Sequence, residues 1–459
     1  MPATLLPRTE RMQKGKDLRK ITAREAHATL NLPLKRDPIT ILAESDPARV
    51  PQLISERYNR MLASPFAFLR GAAALMAADL ASHPAAGIPV QAGGDSHLMN
   101  FGAFVTPEDN ILFDVNDFDE TLPGVDFTVD LKRLATSVAV AALSVETSKK
   151  RARTIAEAAA TAYRQQMFAL AELSPLETWH SRIDLEQELG ELQNKGLRAT
   201  LGPIIARARG EGLNKDDNFP RLVNKDSGLI AEKPPAIFHV NTAATAAQHI
   251  DAEKIFAEFR NRVPPHVLCM LNKYRLADIA FKAVGVGSVG THCYIGLFMS
   301  ADDEPLFLQI KQATNSVLER LGKSLKYSGH QGQRVVEGQR MMQSASDIFL
   351  GWTTDEASGR QFYVRTLKNR RLGSISEISE TKSLADYAAL CGKTLARAHA
   401  RSADPAIIAG YMGPGEILDD AIASFAMAYS EQNALDFTVL KKAKGAKAPS
   451  PALTEPEAT

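Results

Sequence analysis

At 459 residues the chain is long enough for two or three packed units, and 45% hydrophobic with 23% charged residues is the make-up of an ordinary globular protein. Its 54 basic and 53 acidic side chains leave a net charge of +1, so no global field favours nucleic acid or an anionic membrane. Three cysteines, Cys269, Cys293 and Cys391, stand far apart with no CxxC, which argues against a zinc cage or disulfide framework and suits a reducing cytoplasm.

Residues 1 to 35 mix Lys, Arg, Thr and Pro without sustained periodicity, lack the apolar run of a signal peptide, and read as a loosely held arm. No stretch approaches the roughly twenty apolar residues of a membrane span, so a cytoplasmic protein is expected. Over 50–81 the apolar Leu53, Tyr58, Met61, Phe66 and Leu69 fall at helical spacings broken at Ser64-Pro65, which predicts two helices meeting at the proline. A strand-like stretch at 88–92 then runs into Gly93-Gly94-Asp95. Two short apolar runs, 101–105 and 111–115, flank Pro107-Glu108-Asp109-Asn110 and predict a hairpin. That hairpin sets the loop of Asp95 and Asn100 beside the turn of Asp117. Alanine-rich stretches at 130–145 and 154–173 predict helices. From 174 to 254, Lys, Asp, Asn and Pro clusters predict helical insertions and loops. The pattern turns to β over 279–310, with a polar turn at 300–305. A helix is predicted over 333–346, a strand over 362–365 and a helix over 387–400. From Lys441 a basic run leads into a Pro-, Glu- and Thr-rich stub, expected to be disordered.

Two constellations carry chemistry. The first is Asp95-x4-Asn100 with Asp117. Phosphoryl transfer needs a carboxylate to position the attacking hydroxyl, and oxygen ligands to hold magnesium against the triphosphate. An Asp and an Asn in one tight loop divide those jobs, and an Asp after a hairpin completes the metal site. The plainer alternative is that these residues only shape turns. The second constellation is Val284-Gly285-Val286-Gly287-Ser288-Val289-Gly290-Thr291. A dinucleotide-binding loop of this pattern must open a helix, whereas the residues that follow here, 292–298, are β-like. A turn between two strands, with backbone amides over phosphates, fits better. Lys311 then ends a β-like run, as a phosphate-binding strand lysine does. Glu337 is the chosen partner for that lysine and Glu319 its rival. The Gly-Lys-Ser at Gly322 and the Gly-Lys-Thr at Gly392 lack the earlier glycine of a P-loop, since Val317 and Tyr387 stand there. His97, His292 and His399 show no ligand spacing; His97 is expected to bond backbone.

Gly94-Asp95-x-His97-x-x-Asn100, the hairpin, Asp117-Phe118-Asp119, Gly124 and Asp130-Leu131 together resemble the catalytic segment of aminoglycoside phosphotransferases and choline-kinase-like enzymes. The resemblance implies that Asp95 is the catalytic base, Asn100 a magnesium ligand and Asp117 the main magnesium carboxylate, with Asp130 bracing the loop from a helix start. Asp114 and Asp119 compete for the metal. The chain departs at Gly93, where many of those enzymes carry histidine. In them the glycine loop and lysine come first; here they follow far downstream, and Leu395-Ala396-Arg397-Ala398-His399 looks like the helix that precedes the catalytic loop. A circular permutation with its cut between that helix and the Asp95 strand is implied.

Stretches 60–71, 94–102, 116–121 and 332–340 resemble a bacterial family labelled DUF2252 over most of 40–430, a label that brings no activity. The expectation is an α+β, protein-kinase-like two-lobed fold, with a small β-rich nucleotide lobe and a larger helical lobe, permuted so that the catalytic segment is N-terminal. It divides into a flexible arm (1–35), a catalytic and helical part (36–255), a nucleotide-binding part (256–370) formed around Gly285, Gly287, Ser288, Gly290, Lys311 and Glu337, returning helices (371–440) and a disordered tail (441–459). The expected activity is ATP- and magnesium-dependent phosphotransfer to a small-molecule or protein hydroxyl, without nucleic-acid or membrane partners. AMP transfer on the same fold and a non-catalytic pseudokinase are the alternatives.

Overall fold

The computed structural model describes residues 6–106, 110–145, 147–191, 198–199, 202, 222–224, 226–239, 250–283, 285–367 and 383–445. It is a mixed α+β protein with a helical body, a six-stranded sheet and two two-stranded sheets.

Helix α1 (Arg8–Leu18) lies within the expected loose arm. It docks on a C-terminal helix through glycine, because a Cβ at Gly15 would collide with the Ile407 carbonyl, and one at Gly410 with that of Met12. A contact made by backbone against backbone leaves no apolar stripe to read in the sequence. Arg11 adds an ion pair to Asp404 at 2.7 Å. Helices α2 (Pro51–Met61) and α3 (Pro65–Gly71) break at the predicted proline, where Ser64 Oγ accepts from Ala67 N at 3.0 Å as an N-cap.

Strand β1 (Pro89–Ala92) leads into the Asp95 loop, and β2 (Phe101–Val105) pairs antiparallel with β3 (Ile111–Val115), Phe101 opposite Val115 and Ala103 opposite Phe113. This is the predicted hairpin; the tip residues 107–109 lie outside the described residues. β4 (Leu122–Asp126) returns beside β1 and feeds α4 (Thr128–Ser144), which is buried on nearly every face. Past the buried charges of its first turns, Asp130, Lys132 and Arg133, its residues 134–142 are apolar or small, as suits a helix inside a core, and α5 (Lys149–Ala171) packs beside it.

The sheet runs in the order β5 (Ile237–Phe238), β6 (Tyr274–Lys282), β7 (Cys293–Ser300), β8 (Pro305–Gln312), β10 (Arg360–Thr366), β9 (Gly351–Asp355), antiparallel throughout. Side chains alternate across it. Tyr294, Phe298, Leu308, Ile310, Phe362 and Val364 face one way and pack on Ile255, Phe256 and Phe259 of α6 (Ala252–Arg262). The alternate residues of β8 and β10, including Gln309, Lys311, Tyr363 and Arg365, face the other way. Between β8 and β9 comes α7 (Gln331–Met342), whose Val335, Val336 and Met342 join the main core.

The chain closes with α8 (Leu384–Ala400), α9 (Pro405–Met412) and α10 (Ile417–Lys444). α10 extends through the lysines expected to open a disordered tail, and cations in a last helical turn offset the helix dipole; 446–459 lie outside the described residues. Of the insertion expected over 174–254, residues 175–180 and 185–191 are helical and β5 pairs with β6, while 203–221 and 240–249 lie outside the described residues. Among the described residues, no helix is long and apolar enough to cross a membrane.

Candidate functional site

The Asp95 loop leaves β1 through Gly94, whose φ of +83° is left-handed and whose Cβ, if present, would stand 2.5 Å from the Glu120 carbonyl oxygen. Asp130, in the first turn of α4, accepts from Gly93 N at 2.6 Å and Gly94 N at 2.9 Å, and meets His399 Nε2 of α8 at 3.1 Å. One fully buried carboxylate thus fixes the start of the loop. His97 Nδ1 accepts from Met99 N at 3.1 Å, the backbone role expected of it. Asn100 Nδ2 donates to the Asp95 carbonyl at 2.7 Å, and Asn116 N donates to the Asn100 carbonyl at 2.9 Å. The hairpin therefore sets the Asp95 loop against the Asp117 turn.

Arg133 of α4 donates to Asp95 Oδ1 from Nε at 2.9 Å and from Nη2 at 2.7 Å, and Nη2 also reaches the Leu69 carbonyl. Burial pushes the Asp95 carboxyl up to about 6; Arg133 opposes the rise and Asp117 adds to it. Asp95 Oδ2 stays clear of Arg133 and lies 3.7 Å from His97 Nε2.

Phe118 is buried in the core and leaves the acids on either side of it, Asp117 and Asp119, half-buried. Asp117 Oδ1 accepts from Asp119 N at 3.1 Å. The sheet meets this turn at Asp119. Lys311 forms an ion pair with Asp119 Oδ2 across 192 residues of sequence, Ser288 Oγ donates to the same oxygen at 2.9 Å, and Tyr363 Oη donates to Oδ1 at 2.7 Å. Burial alone would raise Asp119, but the Lys311 charge and the bonds from Lys311 and Tyr363 hold it at about 2. The same pairing keeps Lys311 above the usual lysine range against its own burial. Arg365 donates to the Asn116 carbonyl at 3.3 Å. Glu120 is raised to about 7 by burial, with Val317 N donating to it at 2.7 Å.

The glycine segment forms one short helical turn, Val286–Ser288, between β6 and β7, and Gly290 takes a φ of +87°. It is pinned from outside: Arg49 donates to the Gly287 carbonyl at 3.0 Å and to that of Val289, and Val50 N donates to the Gly290 carbonyl at 2.7 Å. Gly285 lies near Arg70, and Val284 lies outside the described residues.

The predicted partner of Lys311 is corrected. α7 buries Arg334, Val335, Gly338, Gln339 and Met342, so Glu337 falls on its solvent face and accepts from Gln333 Nε2 at 2.6 Å. Glu319 accepts from Asn315 instead. Asp114 no longer competes for a metal: it is fully buried, paired with Arg397, and accepts from Ser344 N at 2.9 Å and Ser344 Oγ at 2.8 Å. Among the described residues, no three His, Cys, Asp or Glu side chains group as a metal site.

Two contributors were not among the candidate site residues. Arg334 donates to the carbonyls of Asp119 and Thr314, each at 2.8 Å, and to that of Thr121, clamping the acidic turn to the end of β8. Arg133 had a usable signal: a charge inside a largely apolar, alanine-rich helix must find a buried partner. A family model described as an uncharacterized protein conserved in bacteria (DUF2252) matches residues 49–443, and the chain belongs to that family. No curated protein and no solved structure matches the chain.

Proposed function

We propose that this member of the DUF2252 family is an ATP- and magnesium-dependent phosphotransferase of kinase-like type acting on a hydroxyl acceptor. The observation that carries this reading is the meeting of Lys311 and Ser288 on Asp119, beside Asp117 and the Asp95 loop. Two distant motifs, each explicable as a turn, supply one set of parts. The order within the sheet adds support: a glycine turn joins β6 to β7, the next strand carries the lysine, and a helix follows, as in the nucleotide lobe of kinases.

The permuted two-lobed arrangement draws support from the chain's other end. His399 closes on Asp130, and Gln91 N of β1 donates to Ser402 Oγ at 2.8 Å. The end of α8 thus abuts the strand leading into the Asp95 loop, and an unpermuted chain would pass directly from one to the other.

The donor set suits magnesium, which takes oxygen ligands and is commonly held by one or two carboxylates together with phosphate oxygens and water. Asp117 supplies the carboxylate. Asn100 supplies a side-chain oxygen, because its NH2 group is committed to the Asp95 carbonyl. When bound, the ion would neutralise charge on the nucleotide's phosphates. The chain's own residues do the rest. Lys311 exchanges Asp119 for phosphate oxygens, and Asp95, with Oδ1 held by Arg133, offers Oδ2 to the acceptor hydroxyl.

The test is turnover of ATP with magnesium in the presence of hydroxyl compounds, with product masses read by mass spectrometry. ADP and an acceptor heavier by one phosphate are expected, and both vanish in Asp95→Asn and Asp117→Asn. Turnover unchanged in both variants refutes the reading, and an acceptor carrying AMP redirects it to nucleotidyl transfer.

A further inference from the structure

We propose that Arg70 is a further catalytic residue, its guanidinium placed against the phosphoryl group in transfer; this rests on the phosphotransferase reading above. Arg70 sits in the last turn of α3, and that turn lies between the two halves of the site. On one side, Arg70 Nη2 stands 3.9 Å from the position a Cβ would take at Gly285, and the Arg70 carbonyl 3.5 Å from the corresponding position at Gly287. On the other side, the Arg70 charge acts on Asp95. Arg133 ties the same turn to the base, donating to the Leu69 carbonyl at 2.6 Å and to Asp95 Oδ1 at 2.7 Å.

A phosphoryl group moving from a nucleotide under the glycine turn to a hydroxyl at Asp95 passes between these two places. In that step the acceptor oxygen bonds to the γ-phosphorus and its proton passes to Asp95. The bond from the γ-phosphorus to the β–γ bridging oxygen breaks, with the electron pair leaving on ADP. Charge spreads over the equatorial oxygens of the group in flight. Lysine on the sheet serves the phosphates that remain with the nucleotide, whereas Arg70 stands by the glycine turn with its charge acting on Asp95. A planar guanidinium with forked donors suits that position better than an ammonium does. An arginine in this role speeds phosphoryl transfer by about 10³- to 10⁵-fold where one is used.

The test needs no acceptor. Calorimetry measures binding of ADP with magnesium to the full chain, with and without aluminium fluoride as a mimic of the phosphoryl group in transfer. The wild type should bind the fluoride complex at least about 100-fold more tightly than ADP alone. Arg70→Ala should bind ADP as the wild type does and lose that gain, with Arg70→Lys keeping only part of it. Arg70→Gln replaces the alanine variant if the latter fails to fold. Full tightening in Arg70→Ala or Arg70→Gln overturns the proposal, and so does a wild type that binds ADP without any fluoride gain. A wild type that binds no ADP overturns the nucleotide reading itself, and this proposal with it.

Discussion

Replacing Lys311 with methionine isolates the contact on which the two halves of the site meet. Lys311 and Asp119 are 4% and 22% exposed, so solvent screens their attraction only weakly. Asp119 is lowered from its ordinary 3.8 to about 2, a stabilisation on the order of 2–3 kcal/mol at roughly 1.4 kcal/mol per pH unit. A lowered carboxyl contributes stability that is present above pH 3.8 and lost as pH falls through about 2. Without the lysine, burial acts on Asp119 with less opposition and the carboxyl rises past its ordinary value. The sign then reverses: the variant's folded state binds the proton more tightly than the unfolded chain, so acidification favours folding. Lys311→Met should therefore cost about 3–5 kcal/mol at pH 7, the usual loss when one member of a buried pair is removed. The loss should shrink towards pH 4, and adding Asp119→Asn should recover part of it. Urea unfolding at pH 7 and pH 4.5 reads both effects. A variant as stable as the wild type at pH 7, or a deficit that grows on acidification, would refute the account of this contact.

Other consequences are equally direct. Asp130→Ala strands the Gly93 and Gly94 amides and should destabilise the protein by about 2–5 kcal/mol, seen as a lower urea midpoint and faster amide exchange at Gly94; exchange unchanged there would contradict the bracing role. Because Asp95 is raised to about 6 and must be ionised to accept a proton, ATP turnover should fall below about pH 6. Arg133→Gln, which removes a lowering charge, should move that limb to higher pH, and a fixed limb argues against Asp95 as the base. Gly338→Ala puts a methyl into Thr121 and should cost about 1–3 kcal/mol by overpacking, measured as a drop in thermal midpoint. Arg397→Met leaves Asp114 buried without its cation, and a loss of less than about 1 kcal/mol would show that the pair matters little.

The sequence by itself determined the local units. Alternation and turn residues placed the 101–115 hairpin, Pro65 broke the α2–α3 pair, and alanine-rich periodicity located α4 and α5, because each signal arises within a few residues of backbone. Of the residues it singled out, Lys311 and Ser288 meet the turn of Asp117 and Asp119, and Asp95 and Asn100 lie in the loop beside that turn. Their partners were decided only in three dimensions. Lys311 binds Asp119 rather than Glu337 because the buried face of α7 includes Arg334 and Gly338, and a helix's rotation about its axis is set by what it packs on. α1 docks by glycine against backbone, which leaves no hydrophobic pattern to detect. Arg133, Arg334 and Arg70 act through carbonyls and carboxylates far away in the chain. A charge in a sequence announces that it needs a partner, but only the packed fold selects which one, because desolvation and Coulomb attraction depend on distance in space.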